Sequence, residues 1–204
     1  MARGIASLVD TLFLMLIAAS AMAIIFYAAY HYGSSVGGEL DRLRVEYYTR
    51  QVLKSLSAYT IERAGGIPDY LLAYMKEDVY NYGELRGSAK ELNKFLKESL
   101  SLLSSAYDYA FTLKIESSNT SVYYVLGRVF EKQGNTYKEK TFACSLTKEK
   151  FNDFTQTVLS LPNLVSSYTV FFFKTKDGKY YPAYVTLYLW PSGIGSLKGL
   201  RTPC

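Results

Sequence analysis

The sequence predicts an α+β protein: a long N-terminal hydrophobic helix, further helices, then an antiparallel β-sheet head. Three observations carry this. An uncharged apolar run occupies Thr11 to Tyr30. Apolar residues then recur at helical spacing as far as Ala106, and beyond it they alternate with period two. Helices first and strands afterwards make a segregated architecture. The expected divisions are a short segment at 1–4, a hydrophobic transmembrane helix at 5–33, a helical region at 34–106, and a β-rich region with one inserted helix at 107–204.

The run comes first. Twenty helical residues span roughly 30 Å, the thickness of a bilayer's hydrocarbon core. A removable secretion signal has a shorter apolar stretch, so the helix is expected to be retained. Ala18, Ala19, Ser20, Ala21 and Ala23 form a patch of small residues. Such residues let helices approach closely. Phe26, Tyr27, Tyr30 and Tyr32 crowd the exit, where amphipathic rings favour the water–lipid boundary. Asp10 stands one turn inside the apolar region, near a helix N-terminus that favours negative charge.

Arg3-Gly4 followed by Ile5 and the long apolar helix resembles the class III signal of archaeal type IV pilins and related filament subunits. The resemblance covers about the first 33 residues. It implies cleavage after Gly4 by a signal peptidase of the prepilin type, with Ile5 as the new N-terminus. It also implies a helix that anchors the subunit and later packs in a filament core, with Asp10, Ala18, Ala19 and Ala21 serving assembly. Many members carry glutamate at the fifth mature position, where this chain has Val9.

After the span, "GSSVGGE" offers a glycine hinge. A helix is expected to resume near Glu39, with Leu40, Leu43, Tyr47, Leu53, Leu56 and Ile61 as its apolar stripe as far as Glu62. Gly65 and Gly66 end it, and Pro68 opens a helix through Tyr70, Leu71, Tyr74, Met75 and Val79. Ser88 and Glu91 read as a capping box. They precede a helix whose apolar face holds Leu92, Phe95, Leu96, Leu102, Leu103 and Ala106.

Tyr109, Phe111, Leu113 and Ile115 then alternate with more polar neighbours, as in a strand with one buried face. Two further strands complete a meander through "VYYVLGRVFEK" and "TYKEKTFACSL". Thr147 caps a helix carrying Phe151, Phe154 and Val158, which Pro162 ends. Asp177-Gly178 joins the strands at Tyr168–Thr175 and Tyr184–Trp190 in a hairpin. Pro182 marks an edge or bulged position on the second of them.

Composition narrows the function. Basic residues give a net charge of +5 but form no dense block, which argues against a nucleic-acid partner. The only histidine is His31 and there are two cysteines, too few for a structural zinc site. No nucleophile elbow, metal-binding helix or phosphate loop occurs, so no catalytic, cofactor or metal residue is assigned and no enzyme is expected. Glu77 with Asp78, or Asp108 with Glu116, are the candidate carboxylate pairs, better explained as solvated charges. Cys144 and Cys204 are the candidate disulfide of an exported body. Asn119-Thr120-Ser121 is a glycosylation sequon in an expected turn.

The expected function is a structural, pilin-like or pseudopilin-like subunit of a surface filament. Its partners are the membrane and copies of itself or related subunits. It would sit as a single-pass membrane protein with an extracellular body, or in a cell-surface filament. The alternative is a single-pass protein whose α+β domain binds a partner and never polymerises. Arg42, Arg44, Arg50 and Lys54 follow the span whereas Arg3 stands alone before it. That asymmetry favours a cytoplasmic body; the Arg-Gly junction and the sequon favour export.

Overall fold

The computed structural model describes residues 38–63, 67–103, 106–117, 121–133, 136–192 and 204, together with 20, 22–24 and 27. The chain divides into two compact units, Met1–Arg44 and Val45–Cys204. In the first unit the described residues are all helical and exposed. Among the described residues no helix is long and apolar enough to cross a membrane. Most of the Thr11–Tyr30 run lies outside them.

The second unit opens with helix α1 (residues 45–55). Val45, Thr49, Val52 and, on the turn that follows, Leu56 are buried, a spacing of four, three and four that follows the helical turn, with Leu53 buried beside them. Thr49 is accommodated there because its hydroxyl donates to the Val45 carbonyl at 2.6 Å. This corrects the expected stripe: Leu40, Leu43 and Tyr47 are exposed. The helical turns also stop before Ile61 and Glu62, which belong to strand β1 (Thr60–Arg63).

β1 pairs antiparallel with β2 (Ile67–Tyr70), Glu62 standing opposite Pro68. Pro68 therefore lies in a short two-stranded ribbon rather than opening a helix. The β-branched Thr60 and Ile61, with the glycine pair after them, favour a hairpin over continued helix. Arg63 closes the ribbon against Asp69 at 3.1 Å and Glu77 at 2.7 Å. Its guanidinium stacks 4.2 Å from the Tyr74 ring centre.

Helices α2 (Leu71–Tyr82) and α3 (Gly87–Ser99) follow. α2 ends at Gly83 in the left-handed region (φ 76°), whose N–H bonds the Val79 carbonyl. The Ser88–Glu91 capping box does not form. Ser88 lies inside α3, and its cap position, Arg86, offers no side-chain bond. Buried Asp78 of α2 does that work. One of its carboxylate oxygens accepts from the backbone of Arg86 at 2.9 Å, the backbone of Ser88 at 2.8 Å and the Ser88 hydroxyl at 2.6 Å. A carboxylate at a helix start satisfies orphan N–H groups and meets the positive end of the helix dipole. Leu92, Phe95 and Leu96 are buried as expected, while Leu102 is exposed on the short 3-10 turn Ser101–Leu103.

Five antiparallel strands form the main sheet in the order β5-β4-β3-β7-β6. They are β3 (Tyr107–Ile115), β4 (Val122–Gln133), β5 (Thr136–Ser145), β6 (Val165–Lys174) and β7 (Tyr180–Pro191). Tyr109, Phe111, Leu113 and Ile115 join one apolar cluster with residues of α1, α2 and α3. The opposite face carries Ala110, Val125, Phe142 and Trp190 beneath Phe151, Phe154 and Val158 of α4 (Lys148–Leu159). β3 is thus buried on both faces, which corrects the one-sided expectation. Ala110 and Thr112 are covered because α4 returns across that side.

Thr147 caps α4, accepting from the Lys150 N–H. At Gly127 an added Cβ would lie 2.4 Å from the Phe142 ring and 2.6 Å from the Tyr109 carbonyl. The ring therefore seats directly on bare backbone. Gly178 takes φ 78° in the β6–β7 turn. Pro182 sits one residue before Ala183, the first β7 residue that pairs with β3, so its missing N–H interrupts nothing on that side.

Asp78 predicts a measurable outcome. Asp78→Ala leaves three donors without their carboxylate, and we expect a loss of about 2–3 kcal/mol. Urea denaturation of the purified chain reads this directly. Glu77→Ala, which breaks only a half-exposed ion pair, should cost less than about 1 kcal/mol.

Candidate functional site

The candidate carboxylate pairs come apart in the fold. Glu77 is exposed and bound to Arg63, while Asp78 is buried as the α3 cap. Asp108 lies near one end of β3 and Glu116 just past the other, about 26 Å apart at the strand rise. Asp108 accepts from the Phe130 N–H at 3.1 Å and the Ser192 hydroxyl at 2.9 Å. Burial pushes its carboxyl up from the ordinary value. It ties β3 to β4 and to the end of β7.

Glu116 behaves oppositely. The Tyr123 hydroxyl donates to it at 2.8 Å, and Lys114 and Lys148 stand at 3.1 and 3.2 Å. These contacts, the Tyr123 bond first, pull its carboxyl down from 4.5 to about 2. None of these carboxylates faces another in a cleft, so their arrangement does not make an acid–base pair. Among the described residues no group of His, Cys, Asp or Glu side chains could hold a metal ion.

What the second unit does present is an apolar ledge. Register places Tyr168 opposite Thr186, Val170 opposite Tyr184 and Phe172 opposite Pro182. Directly opposed residues share a face, and this is the face that α4 covers further along. Beyond α4 the side chains stand open: Tyr168 is 75% exposed, Phe172 60%, Tyr184 46% and Val170 38%. On the other face of β6, Phe173 is fully buried.

A groove of about 290 Å³ separates the ledge from α4. Thr112, Thr186 and Tyr188 line its sheet side, and Asn152, Thr155 and Gln156 its helix side. The ledge and groove together offer rings, hydroxyls, amides and the Lys114 ammonium.

Of the residues singled out from sequence, Cys144 and Cys204 are joined in a disulfide, their Cα atoms 5.9 Å apart. The bond fastens the end of the chain to β5. Arg3, Gly4, Ile5, Asp10, Ala18, Ala19, Ala21 and Asn119 lie outside the described residues. The sequence alone does not reveal the ledge. Tyr168, Val170 and Phe172 alternate with Thr169, Phe171 and Phe173, so both faces of β6 are apolar in sequence.

Two measurements follow. A carboxyl whose folded pKa is depressed adds stability above its ordinary value and loses it as pH falls through the folded value. The acid loss from Glu116 therefore belongs between pH 4.5 and about 2. Urea midpoints taken across that window should fall more steeply for the parent than for Glu116→Gln. The disulfide spans 60 residues of sequence. Cys204→Ser should lower stability by about 4 kcal/mol on the loop-entropy scale, read by the same denaturation under non-reducing conditions.

No protein-family model matches this chain, and no curated protein matches it.

Proposed function

We propose that this chain is a structural, pilin-like subunit of a surface filament, held in the membrane before assembly by its N-terminal helix. The observation that carries the reading is the uncharged run Thr11–Tyr30 behind Arg3-Gly4-Ile5. Its length matches the hydrocarbon core, and its Ala/Ser patch suits close helix packing.

Two features of the body support it. The Cys144–Cys204 bond belongs to an oxidising compartment, as an exported domain requires. The exposed rings of β6 and β7 supply apolar area larger than scattered surface residues need, and suit contact between subunits. In this reading the helix exchanges lipid for neighbouring helices during assembly, while the body forms the outer layer and its contacts. The role proposed for Asp10 in that assembly is to pair its carboxylate with a freed N-terminus on a neighbouring chain.

The second reading, a single-pass protein that never polymerises, is favoured by one observation. Arg42, Arg44, Arg50 and Lys54 outnumber Arg3 across the span, which by the positive-inside rule retains the body in the cytoplasm.

The mature N-terminus tests the proposal. Intact mass of protein purified from its native membrane should begin at Ile5. A chain that keeps Met1, with a body shielded from labelling in intact cells, would establish the second reading instead.

A further inference from the structure

The two edges of the main sheet differ. β5 carries Lys138, Glu139 and Lys140 in succession, and Glu139 reaches Lys97 at 3.3 Å. Charges of this kind blunt an edge against pairing with another chain. β6 has no charge from Val165 to Phe173. It ends the strand order, so its outer side has no strand partner among the described residues. Along Ser166–Thr169 it borders a groove whose other wall includes Glu46, Arg50 and Lys54 of α1; a long uncharged edge strand is a template for strand addition.

Self-complementarity selects the occupant. Antiparallel pairing of β6 with a second β6 can be centred on several residues. A centre at Tyr168 sets Val170 against Ser166. A centre at Phe172 sets Val170 against Lys174. A centre at Val170 sets Tyr168 against Phe172 of the second copy, twice by symmetry, and Val170 against itself. Of these residue-centred registers, only the last gives every exposed apolar side chain of the strand an apolar partner. It also places Lys174, the one charge in β6, opposite the neutral Ser166. Aromatic and β-branched pairs of this kind are the stabilising units of antiparallel sheets.

We infer that β6 is a homotypic docking edge, and that two copies of this chain pair antiparallel about Val170 into one continuous ten-stranded sheet. The two-fold relation keeps both ledges on the same side, so the exposed rings merge into one apolar strip. The inference rests on the reading of this chain as one that associates with itself, but it concerns the body and not the N-terminal helix.

Cysteine cross-linking in native membranes tests it, because both native cysteines are bonded to each other. Directly opposed residues of an antiparallel pair stand within disulfide reach. Val170→Cys should therefore oxidise to a covalent dimer, at about ten-fold the level of Asp153→Cys on the exposed side of α4. Co-expressed Tyr168→Cys and Phe172→Cys should cross-link to each other. Tyr168→Cys alone should not, since its two copies would lie roughly 13 Å apart. All three substituted positions on β6 are exposed, so circular dichroism should remain unchanged.

Val170→Cys dimers at the Asp153→Cys level would overturn the pairing. Tyr168→Cys forming dimers by itself as well as with Phe172→Cys would overturn the register. Filaments are scored separately by microscopy: cross-linking without filaments keeps the pairing and removes the filament reading, and filaments without cross-linking do the reverse.

Discussion

β3 is held on four sides. β4 and β7 flank its edges, one face meets the cluster shared with α1, α2 and α3, and the other meets the cluster beneath α4. A strand so enclosed must satisfy all its backbone groups within the sheet and bury side chains in both directions. The rest of the second unit follows from that constraint. Helices that precede the sheet supply one cover. The single helix between β5 and β6 supplies the other, which is why it crosses the sheet rather than extending past it. Twelve residues of helix cover only part of a five-stranded surface, and the uncovered remainder is the ledge on β6 and β7.

Polar groups in the interior act as fasteners between elements. Asp78 joins α2 to the start of α3 through one carboxylate oxygen. Asp108 joins β3 to β4 and to Ser192 at the end of β7. Arg128 extends from β4 to the Tyr107 carbonyl at 3.0 Å, with its guanidinium near the rings of Tyr109 and Phe130. Each group links segments that hydrophobic contact alone would allow to slide. Burial raises the cost of charge at Asp108, whereas Glu116, at the solvated end of β3, is stabilised as an anion by Tyr123 and two lysines. The same residue class is thus pushed in opposite directions by environment.

The two sheet edges divide in the same physical way. β5 is protected by charge and fastened by the disulfide to Cys204. β6 is uncharged from Val165 to Phe173 and open on one face. An isolated domain that avoids association would be expected to treat both edges alike. The asymmetry leaves one edge of the main sheet charged and the other uncharged.

The sequence by itself determined the local structure wherever local chemistry was decisive. Thr147 before an apolar helix face, Asp177-Gly178 between two strands, and the meander from Tyr109 to Ser145 all depend on capping, turn conformation and alternation within a few residues. Tertiary structure decided the rest. Ser88 and Glu91 have capping-box spacing, yet Asp78, ten residues before Ser88, supplies the bond because α2 packs beside α3. Thr60–Arg63 reads as a helix end until Ile67–Tyr70 is available to pair with it. Which face of Tyr168–Phe173 is buried could not be read from a strand apolar on both sides; it was settled by the helices beneath Phe173 and by α4 stopping short of Tyr168. Periodicity reports which residues share a face, and only packing against distant segments decides which face meets water.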